Sequence, residues 1–138
     1  MKVFLDANIL VSVLNKEYPV FTYSSRVISL AESSRFKLYT SPLCLAITFY
    51  FAEKKTGNAS ARHKINLLTE KLKFTQVNEE TVQQTTKNKR IHDFEDGLQY
   101  YSALGSGCKL IVTEDEKDFY FSEIEVLNSR QFLEQHVF

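Results

Sequence analysis

Short runs of strand-forming residues alternate with helical stretches along the chain, and this order restricts the fold more than any other feature. Five runs rich in Val, Ile, Phe and Thr are predicted to be strands, at 2–5, 36–40, 74–77, 109–113 and 123–127. Seven other stretches are predicted to be helices, at 8–15, 23–34, 42–55, 60–72, 79–88, 93–105 and 129–136. The alternation favours an α/β fold with a mainly parallel central sheet of about five strands, flanked by helices on both faces.

The length and composition are typical of one soluble globular domain. Hydrophobic residues make up 43% of the 138 residues and charged residues 25%. No repeat, linker or low-complexity tract interrupts the chain, so residues 1–138 are predicted to form a single domain. Lys and Arg together number 17, as do Asp and Glu, so any affinity for nucleic acid must come from local patches.

The cysteine content and the apolar runs point to the cytoplasm. Cys44 and Cys108 lack metal-ligand spacing and are too few for a disulfide framework, so both are expected to be reduced. No apolar run approaches the ~20 residues of a membrane span, and Asp6 interrupts the first one too early for a signal peptide. We therefore expect a cytoplasmic protein with no membrane partner.

Acidic and polar side chains follow two of the predicted strands directly. Asp6 comes after 2–5, with Asn8 two residues further on, and Thr113 and Asp115 follow the run "KLIV" (109–112) in the same way. In open α/β sheets, ligands bind in the crevice beyond the carboxyl ends of the strands. Two carboxylates from distant parts of the chain are therefore expected to meet at one rim of the sheet.

The predicted helix 93–105 begins with two further acids. Asp93 and Asp96 lie about 60° apart around a helix, whereas Phe94, Leu98 and Tyr101 form an apolar stripe that we expect to pack against the sheet. Acids are common in a first helical turn, because the helix dipole favours them there. This preference of the helix dipole explains Asp93 as well as a functional role would. It explains Asp96 less well.

The segment "TEDEKDF" (113–119) is also acidic. Glu114 and Glu116 are expected to belong to a solvated turn, whereas Asp115 and Asp118 lie beyond a buried strand. Carboxylates gathered at one rim repel each other, and a hard divalent cation such as Mg²⁺ or Mn²⁺ relieves that repulsion with oxygen ligands. A metal there could activate water and stabilise charge on a phosphate, the chemistry of phosphodiester hydrolysis.

Taken together, these segments resemble the PIN-domain family. The resemblance is carried in order by Asp6-Ala-Asn8, by "DFEDGLQYYSAL" with Asp96, and by "IVTEDEKDF". Members are mostly small metal-dependent ribonucleases, including the toxin halves of bacterial VapBC-type toxin–antitoxin pairs. The resemblance implies a ribonuclease that uses Mg²⁺ or Mn²⁺, acts on single-stranded or structured RNA, pairs as a homodimer and has an antitoxin protein as a possible partner.

The same resemblance assigns roles to individual residues, which are expectations at this point. It makes three acids the catalytic and metal-binding residues: Asp6, Asp96 and Asp115. It gives Asn8 and Thr113 the task of orienting these acids or the attacking water through hydrogen bonds. Asp93 and Asp118 are further supporting candidates.

One acid that the resemblance leads us to expect is missing. Family members usually carry a glutamate early in the helix after the second strand, where "SPLCLAITFYF" has Ile47. Glu53 does not substitute, because six residues place it about 120° around the helix and ~9 Å along its axis. The alternative function is therefore a catalytically weakened PIN-like module that binds RNA or protein.

A basic stretch, "TKNKRIH" (86–92), precedes the acidic helix. Lys87, Lys89 and Arg90 are predicted to attract RNA phosphates towards the metal, as Lys and Arg do in nucleic-acid sites generally. A solvated helix end explains any single one of these residues at least as well.

Overall fold

Five parallel strands form one sheet, and helices make the connections between them. In the computed structural model, which describes residues 1–138, the strands are β1 (Lys2–Leu5), β2 (Lys37–Thr40), β3 (Lys73–Phe74), β4 (Leu110–Val112) and β5 (Glu125–Leu127). The helices are α1 (Ala7–Leu14), α2 (Val20–Ser29), α3 (Pro42–Thr56), α4 (Asn58–Thr69), α5 (Glu79–Lys87), α6 (Phe94–Gly105) and α7 (Ser129–Phe132). The predicted α/β class and the five parallel strands are confirmed.

The strand order, β3-β2-β1-β4-β5, decides where a site can form. The chain adds β2 and β3 on one side of β1, and then returns to add β4 and β5 on the other. Right-handed crossovers in opposite directions place helices on both faces of the sheet. The order reverses between β1 and β4, so the crevice for a ligand lies at the carboxyl ends of these two strands.

The two central strands are the most apolar part of the core. Val3, Phe4 and Leu5 of β1 lie beside Leu110, Ile111 and Val112 of β4, and all six are buried. A strand covered by helices on both faces has no solvent side, which explains why neither run alternates with polar residues. The helices are too short or too polar for any of them to span a membrane. Cys44 and Cys108 are both buried, and neither forms a disulfide.

Polar caps begin the helices that surround the crevice. Ser41 accepts a hydrogen bond from the backbone N–H of Cys44 at 3.0 Å, and Pro42 is the first residue of α3, as predicted. Asp93 caps α6 by accepting from the N–H of Asp96 at 3.2 Å. At the other end of α6, Gly107 adopts φ +83°, a conformation suited to glycine, and turns the chain into β4.

Some element boundaries differ from the sequence predictions. The third strand is Lys73–Phe74 and not 74–77, because its partner β2 ends at Thr40, where the chain turns into α3. Helix α2 begins at Val20, three residues earlier than predicted. Short 3₁₀ turns at Leu30–Glu32 and Glu116–Phe119 were not predicted, and the last helix ends at Phe132 in a π-helical turn, Leu133–Val137.

The buried face of α6 is not the one that its apolar stripe predicted. Phe94 is 48% exposed, whereas Gln99, Tyr100 and Ala103 are buried. Gln99 can lie inside because its Oε1 accepts a hydrogen bond from the Ser41 hydroxyl. Asp96 precedes Gln99 and Tyr100 by three and four residues, so it shares their face and is directed towards the sheet.

Close packing between α5 and α6 depends on Gly97. A β-carbon at this position would overlap the Thr85 methyl group and lie 3.0 Å from Cγ2 of Ile91. We expect Gly97→Ala to lower the free energy of unfolding, because overpacking typically costs about 1–3 kcal/mol and the gain in helix propensity is only about 1 kcal/mol. Urea denaturation measures the difference.

Gly105→Ala is the matched control in the same helix. No atom lies within 4 Å of the β-carbon that this substitution would add, so stability should stay the same or rise by up to about 1 kcal/mol. Equal stability of the two variants would contradict the close approach of α5 to α6.

Candidate functional site

The crevice between β1 and β4 is held together by hydrogen bonds between residues that follow the two strands. The backbone N–H of Asp6 donates to the carbonyl of Val112 at 3.0 Å. The hydroxyl of Thr113 donates to Oδ2 of Asp6 at 2.8 Å, and the N–H of Ala7 donates to Oδ1 at 2.8 Å. Strand pairing thus fixes the position of the Asp6 carboxylate.

Asn8 connects Asp6's strand to the turn after β4. Its amide Nδ2 donates to the Thr113 hydroxyl at 3.0 Å and to Oδ2 of Asp115 at 3.2 Å, and its Oδ1 accepts from the N–H of Glu114 at 3.1 Å. The Thr113 hydroxyl also accepts from the N–H of Asp115 at 3.1 Å. Asn8 and Thr113 therefore orient two carboxylates through direct hydrogen bonds.

These residues border a cavity of about 350 Å³. It is lined by Asp6, Ala7, Asn8, Val11, Glu17, Ile47, Phe51, Glu95, Asp96, Asp115 and Asp118. Six of the eleven are carboxylates, and none is Lys, Arg or His. None of the six forms an ion pair, since the ion pairs of the chain all lie elsewhere. The cavity carries a concentrated negative charge with no cation from the protein to balance it.

Burial, together with this uncompensated charge, raises the pKa values of several acids. Burial, followed by repulsion from Asp93 and Asp118, raises the pKa of Asp96 from 3.8 to about 7. Burial raises the pKa of Asp6 as well, and repulsion from Asp115 adds to this, although the hydrogen bonds from Thr113 and Ala7 oppose the change. The ionised acids are thus held in the cavity at an electrostatic cost.

The same surroundings raise the pKa values of two other acids and one thiol. Burial is the largest cause that raises the pKa of Glu95, with repulsion from Asp93 and Asp6 behind it. For Asp118, burial again comes first, followed by repulsion from Asp115. Burial and the nearby Asp6 raise the pKa of Cys44 to about 12, so this thiol stays protonated, with Sγ 3.8 Å from Oδ1 of Asp6.

The donor set fits a hard divalent cation in its chemistry. Carboxylate and amide oxygens are the ligands that Mg²⁺ and Mn²⁺ prefer, and a cation would offset the repulsion among the acids. No three Asp, Glu, His or Cys side chains are arranged closely enough to hold one ion between them as they stand. The side chains must therefore rotate inwards for several of them to bind the same ion.

The structure brings most of the predicted site residues together. Asp6, Asn8, Asp96, Asp115 and Asp118 line the one cavity, and Thr113 is buried beneath them as a hydrogen-bond partner. Asp93 is exposed, caps α6 and does not line the cavity. The helix-start explanation of Asp93 thus describes what its side chain does.

The predicted phosphate-binding residues are placed differently. Lys87, Lys89 and Arg90 are exposed, and none of them lines the cavity. Tyr120 ties their segment to the turn after β4, because its hydroxyl accepts from the N–H of His92 at 3.1 Å and donates to the carbonyl of Arg90. Their role in binding phosphate stays a prediction.

The two glutamates of "TEDEKDF" are not simply solvated. Oε2 of Glu114 accepts from the N–H and the hydroxyl of Ser129 at 2.9 and 3.0 Å, and Oε1 of Glu116 accepts from Nδ2 of Asn128 at 3.0 Å. The expectation of a solvated turn is wrong, because α7 begins beside this turn and presents donors to it. Glu114 and Glu116 anchor α7.

Five residues that line the cavity were not predicted from the sequence: Ala7, Val11, Glu17, Phe51 and Glu95. Glu95 stands next to Asp96 and could have been noticed, since a helix that starts over the crevice can present neighbouring residues to it. Glu17 and Phe51 carry no such indication, because the turn after α1 and the far end of α3 reach the cavity only through tertiary packing. Ile47, where the family resemblance led us to expect a glutamate, is half-buried and lines the cavity, so α3 adds no carboxylate there.

Comparison with known proteins shows which family the chain is similar to. The model of the PIN domain family matches residues 2–117. Ribonuclease VapC1 of Aquifex aeolicus (strain VF5) is 32% identical over 138 residues, which cover 97% of this chain and 94% of that protein. The match therefore extends over nearly the full length of both proteins.

Solved structures share the fold at lower identity. VapBC2 from Rickettsia felis, bound to a DNA fragment from its promoter, matches with a TM-score of 0.70 and 18% identity, covering 93% of this chain and 98% of the other. PAE2754 from Pyrobaculum aerophilum matches with a TM-score of 0.66 and 16% identity, covering 97% and 94%. With the family match over most of its length, the chain belongs to the PIN domain family.

Proposed function

We propose that this protein is a metal-dependent endoribonuclease that uses Mg²⁺ or Mn²⁺ to cleave RNA phosphodiesters. The observation that carries the proposal is a cavity with six carboxylates and no ion-pair partner, at the carboxyl ends of β1 and β4. A protein that kept this charge for folding alone would gain stability by losing it. Such a cavity suits a cation that binds phosphate.

Similarity to a named relative supports the RNA substrate. Ribonuclease VapC1 is 32% identical over nearly the full length, and the fold is shared with solved VapBC proteins. By this similarity we extend ribonuclease activity to the chain. A toxin role, with an antitoxin protein as partner, belongs to the same proposal, and a small neighbouring gene for a DNA-binding protein would support it.

Asp6, Asp96 and Asp115 would hold the cation. When bound, the ion would activate water and stabilise charge on the scissile phosphate. Thr113 and Asn8 hold Asp6 and Asp115 at the cavity through hydrogen bonds, so the inward rotation needed to share one ion would fall mainly on Asp96. Asp118 and Glu95 add negative charge beside it.

The proposal also includes attraction of RNA by the basic stretch and dimerisation through α3. Lys87, Lys89 and Arg90 would attract RNA to the neighbourhood of the cavity through long-range charge. A homodimer is proposed from the exposed apolar surface of α3, where Tyr50 is 53% exposed. Light scattering that gives the 16.0 kDa of one chain at every concentration would reject the dimer.

The second candidate is a non-catalytic module that binds RNA or protein. The observation in its favour is Ile47, which lines the acidic cavity with an apolar side chain. The experiments below separate binding from turnover.

We expect Mn²⁺ to support RNA cleavage by the wild type and Asp96→Asn to reduce it by about 100-fold or more, because the variant loses a charged ligand. Mn²⁺ should also raise the melting temperature of the wild type, since an unfolded chain cannot assemble the site. Glu123→Gln removes an exposed charge outside the cavity and is the control. Mn²⁺ binding with no cleavage of any RNA would favour the non-catalytic module.

Without metal, Asp96→Asn should stabilise the fold in a pH-dependent way. The folded-state pKa of about 7 lies above the ordinary 3.8, so the folded protein favours the protonated carboxyl and loses stability as the pH rises between these values. In EDTA, the melting temperature of the wild type should therefore fall relative to Asp96→Asn from about pH 4 to about pH 7 and then level off. Parallel curves would contradict the crowding of acids around Asp96.

Ile47→Glu tests whether α3 can supply a ligand. The new carboxylate would enter a cavity that already holds six, so the metal-free variant should melt below the wild type. With Mn²⁺ that loss should shrink, and cleavage should exceed that of the wild type. The same destabilisation with and without Mn²⁺, and no gain in cleavage, would mean that Ile47 only packs against the core.

A further inference from the structure

The cavity has an apolar side as well as an acidic one. Four of its eleven lining residues are hydrophobic: Ala7, Val11, Ile47 and Phe51. All four belong to α1 and α3, whereas the acids follow strand ends, lie in the turn after α1, or begin α6. A ligand in this space meets negative charge on one part of its surface and hydrocarbon on another.

Phe51 leaves an aromatic surface open in this cavity. Its side chain is 45% exposed even though it lines the cavity. The ring contacts Tyr50 edge to face, with centroids 5.3 Å apart and planes at 79°, so Tyr50 covers at most one of its two faces. Tyr50 has a partner of its own in Lys54, whose Nζ lies 5.3 Å from its ring centroid. Phe51 thus offers a free face for stacking.

The apolar side is also firmly positioned, because two hydrogen bonds join α3 to the end of α1. The carbonyl of Phe51 accepts from Nδ2 of Asn15 at 3.4 Å, which ties α3 to the end of α1. Lys55, four residues after Phe51 and therefore on the same side of α3, donates from Nζ to the carbonyl of Asn15. Its ammonium group keeps further N–H donors that can meet an anion.

We propose that the apolar side of the cavity receives an unpaired base of the substrate, stacked on Phe51, while the neighbouring phosphate lies at the cation that the carboxylates would hold. The inference rests on the proposed ribonuclease function and adds to it Phe51 as a residue that positions the substrate. Within a duplex, the faces of a base are covered by its neighbours and cannot stack on a side chain. A cavity of about 350 Å³ is also small for a ligand pocket, and suits one nucleotide better than a helix.

A stacked base explains better than a docked protein why an aromatic ring and the acids line the same cavity. A protein docked on α3 would be expected to cover Tyr50, the more exposed of the two rings, which does not line the cavity. A base needs only the ring inside the cavity, next to the point where the phosphate would sit. Base stacking on an aromatic side chain is tolerant of sequence, so the inference assigns no preferred base.

The test measures binding of short fluorescent single-stranded RNA, with Mn²⁺ present, in the Asp96→Asn background to prevent turnover. Phe51→Ala should weaken binding by about tenfold, and Phe51→Leu, which keeps apolar volume but has no ring, should weaken it similarly. Phe51→Tyr should bind within about twofold of the parent. Tyr50→Ala, which removes the neighbouring and more exposed ring outside the cavity, should change binding by less than about twofold and is the matched control.

RNA with an abasic site at successive positions gives a reciprocal measurement. At the position whose base stacks on Phe51, the abasic site should weaken RNA binding by the parent about as much as the Phe51→Ala substitution does. The same abasic site should not weaken RNA binding by Phe51→Ala any further. A duplex of the same sequence should bind no more weakly to Phe51→Ala than to the parent. Melting curves for each variant verify that it is folded.

The outcomes separate this inference from the proposed function. Wild-type cleavage of RNA together with unchanged binding by Phe51→Ala would overturn the inference and leave the ribonuclease proposal intact. No RNA binding or cleavage by the wild type would overturn both. A change of oligomeric state in Phe51→Ala by light scattering, with no change in RNA binding, would assign Phe51 to a protein interface instead.

Discussion

The pairing of β1 with β4 is the constraint on which the rest of the structure depends. These strands are distant in sequence but adjacent in the sheet, and their buried apolar residues hold them in register. That register places Thr113 beside Asp6, and the hydrogen bond between them continues the contact of the strands beyond their ends. Because Asn8 and Asp115 attach to the same hydroxyl group, one strand pair positions the centre of the site.

The site and the stability of the fold are in conflict. Six carboxylates share one cavity without an ion pair, and burial with mutual repulsion raises the pKa values of Asp6, Glu95, Asp96 and Asp118. The apolar core beneath the acids offsets the loss of folding stability that they cause. Capping hydrogen bonds at Ser41 and Asp93 stabilise the helices that surround the cavity. Concentrated charge at the rim of a well-packed sheet is typical of a site shaped by binding and not by folding.

Ile47 changes the character of the cavity. With a carboxylate at this position, the cavity would be acidic on the α3 side too. With isoleucine, the same side becomes continuous with Val11 and Phe51 and forms an apolar surface. Isoleucine in place of the expected glutamate can therefore be understood in two ways. Loss of a metal ligand would weaken substrate binding, whereas gain of an apolar surface for a base would strengthen it.

The fold class and the acids that follow the strands could be predicted from the order of residues along the chain. The order of strands and helices implies a parallel sheet, and parallel strands bring their carboxyl ends to one edge, so Asp6, Thr113 and Asp115 could be placed without coordinates. Periodicity failed for α6, because this helix packs against α5 as well as the sheet, and a hydrogen bond to Ser41 allowed polar Gln99 to be buried. The sequence could not show that Glu17 and Phe51 reach the cavity, or that Lys87, Lys89 and Arg90 do not line it. These placements depend on which surfaces meet when the helices pack, and local spacing along the chain carries no record of such contacts.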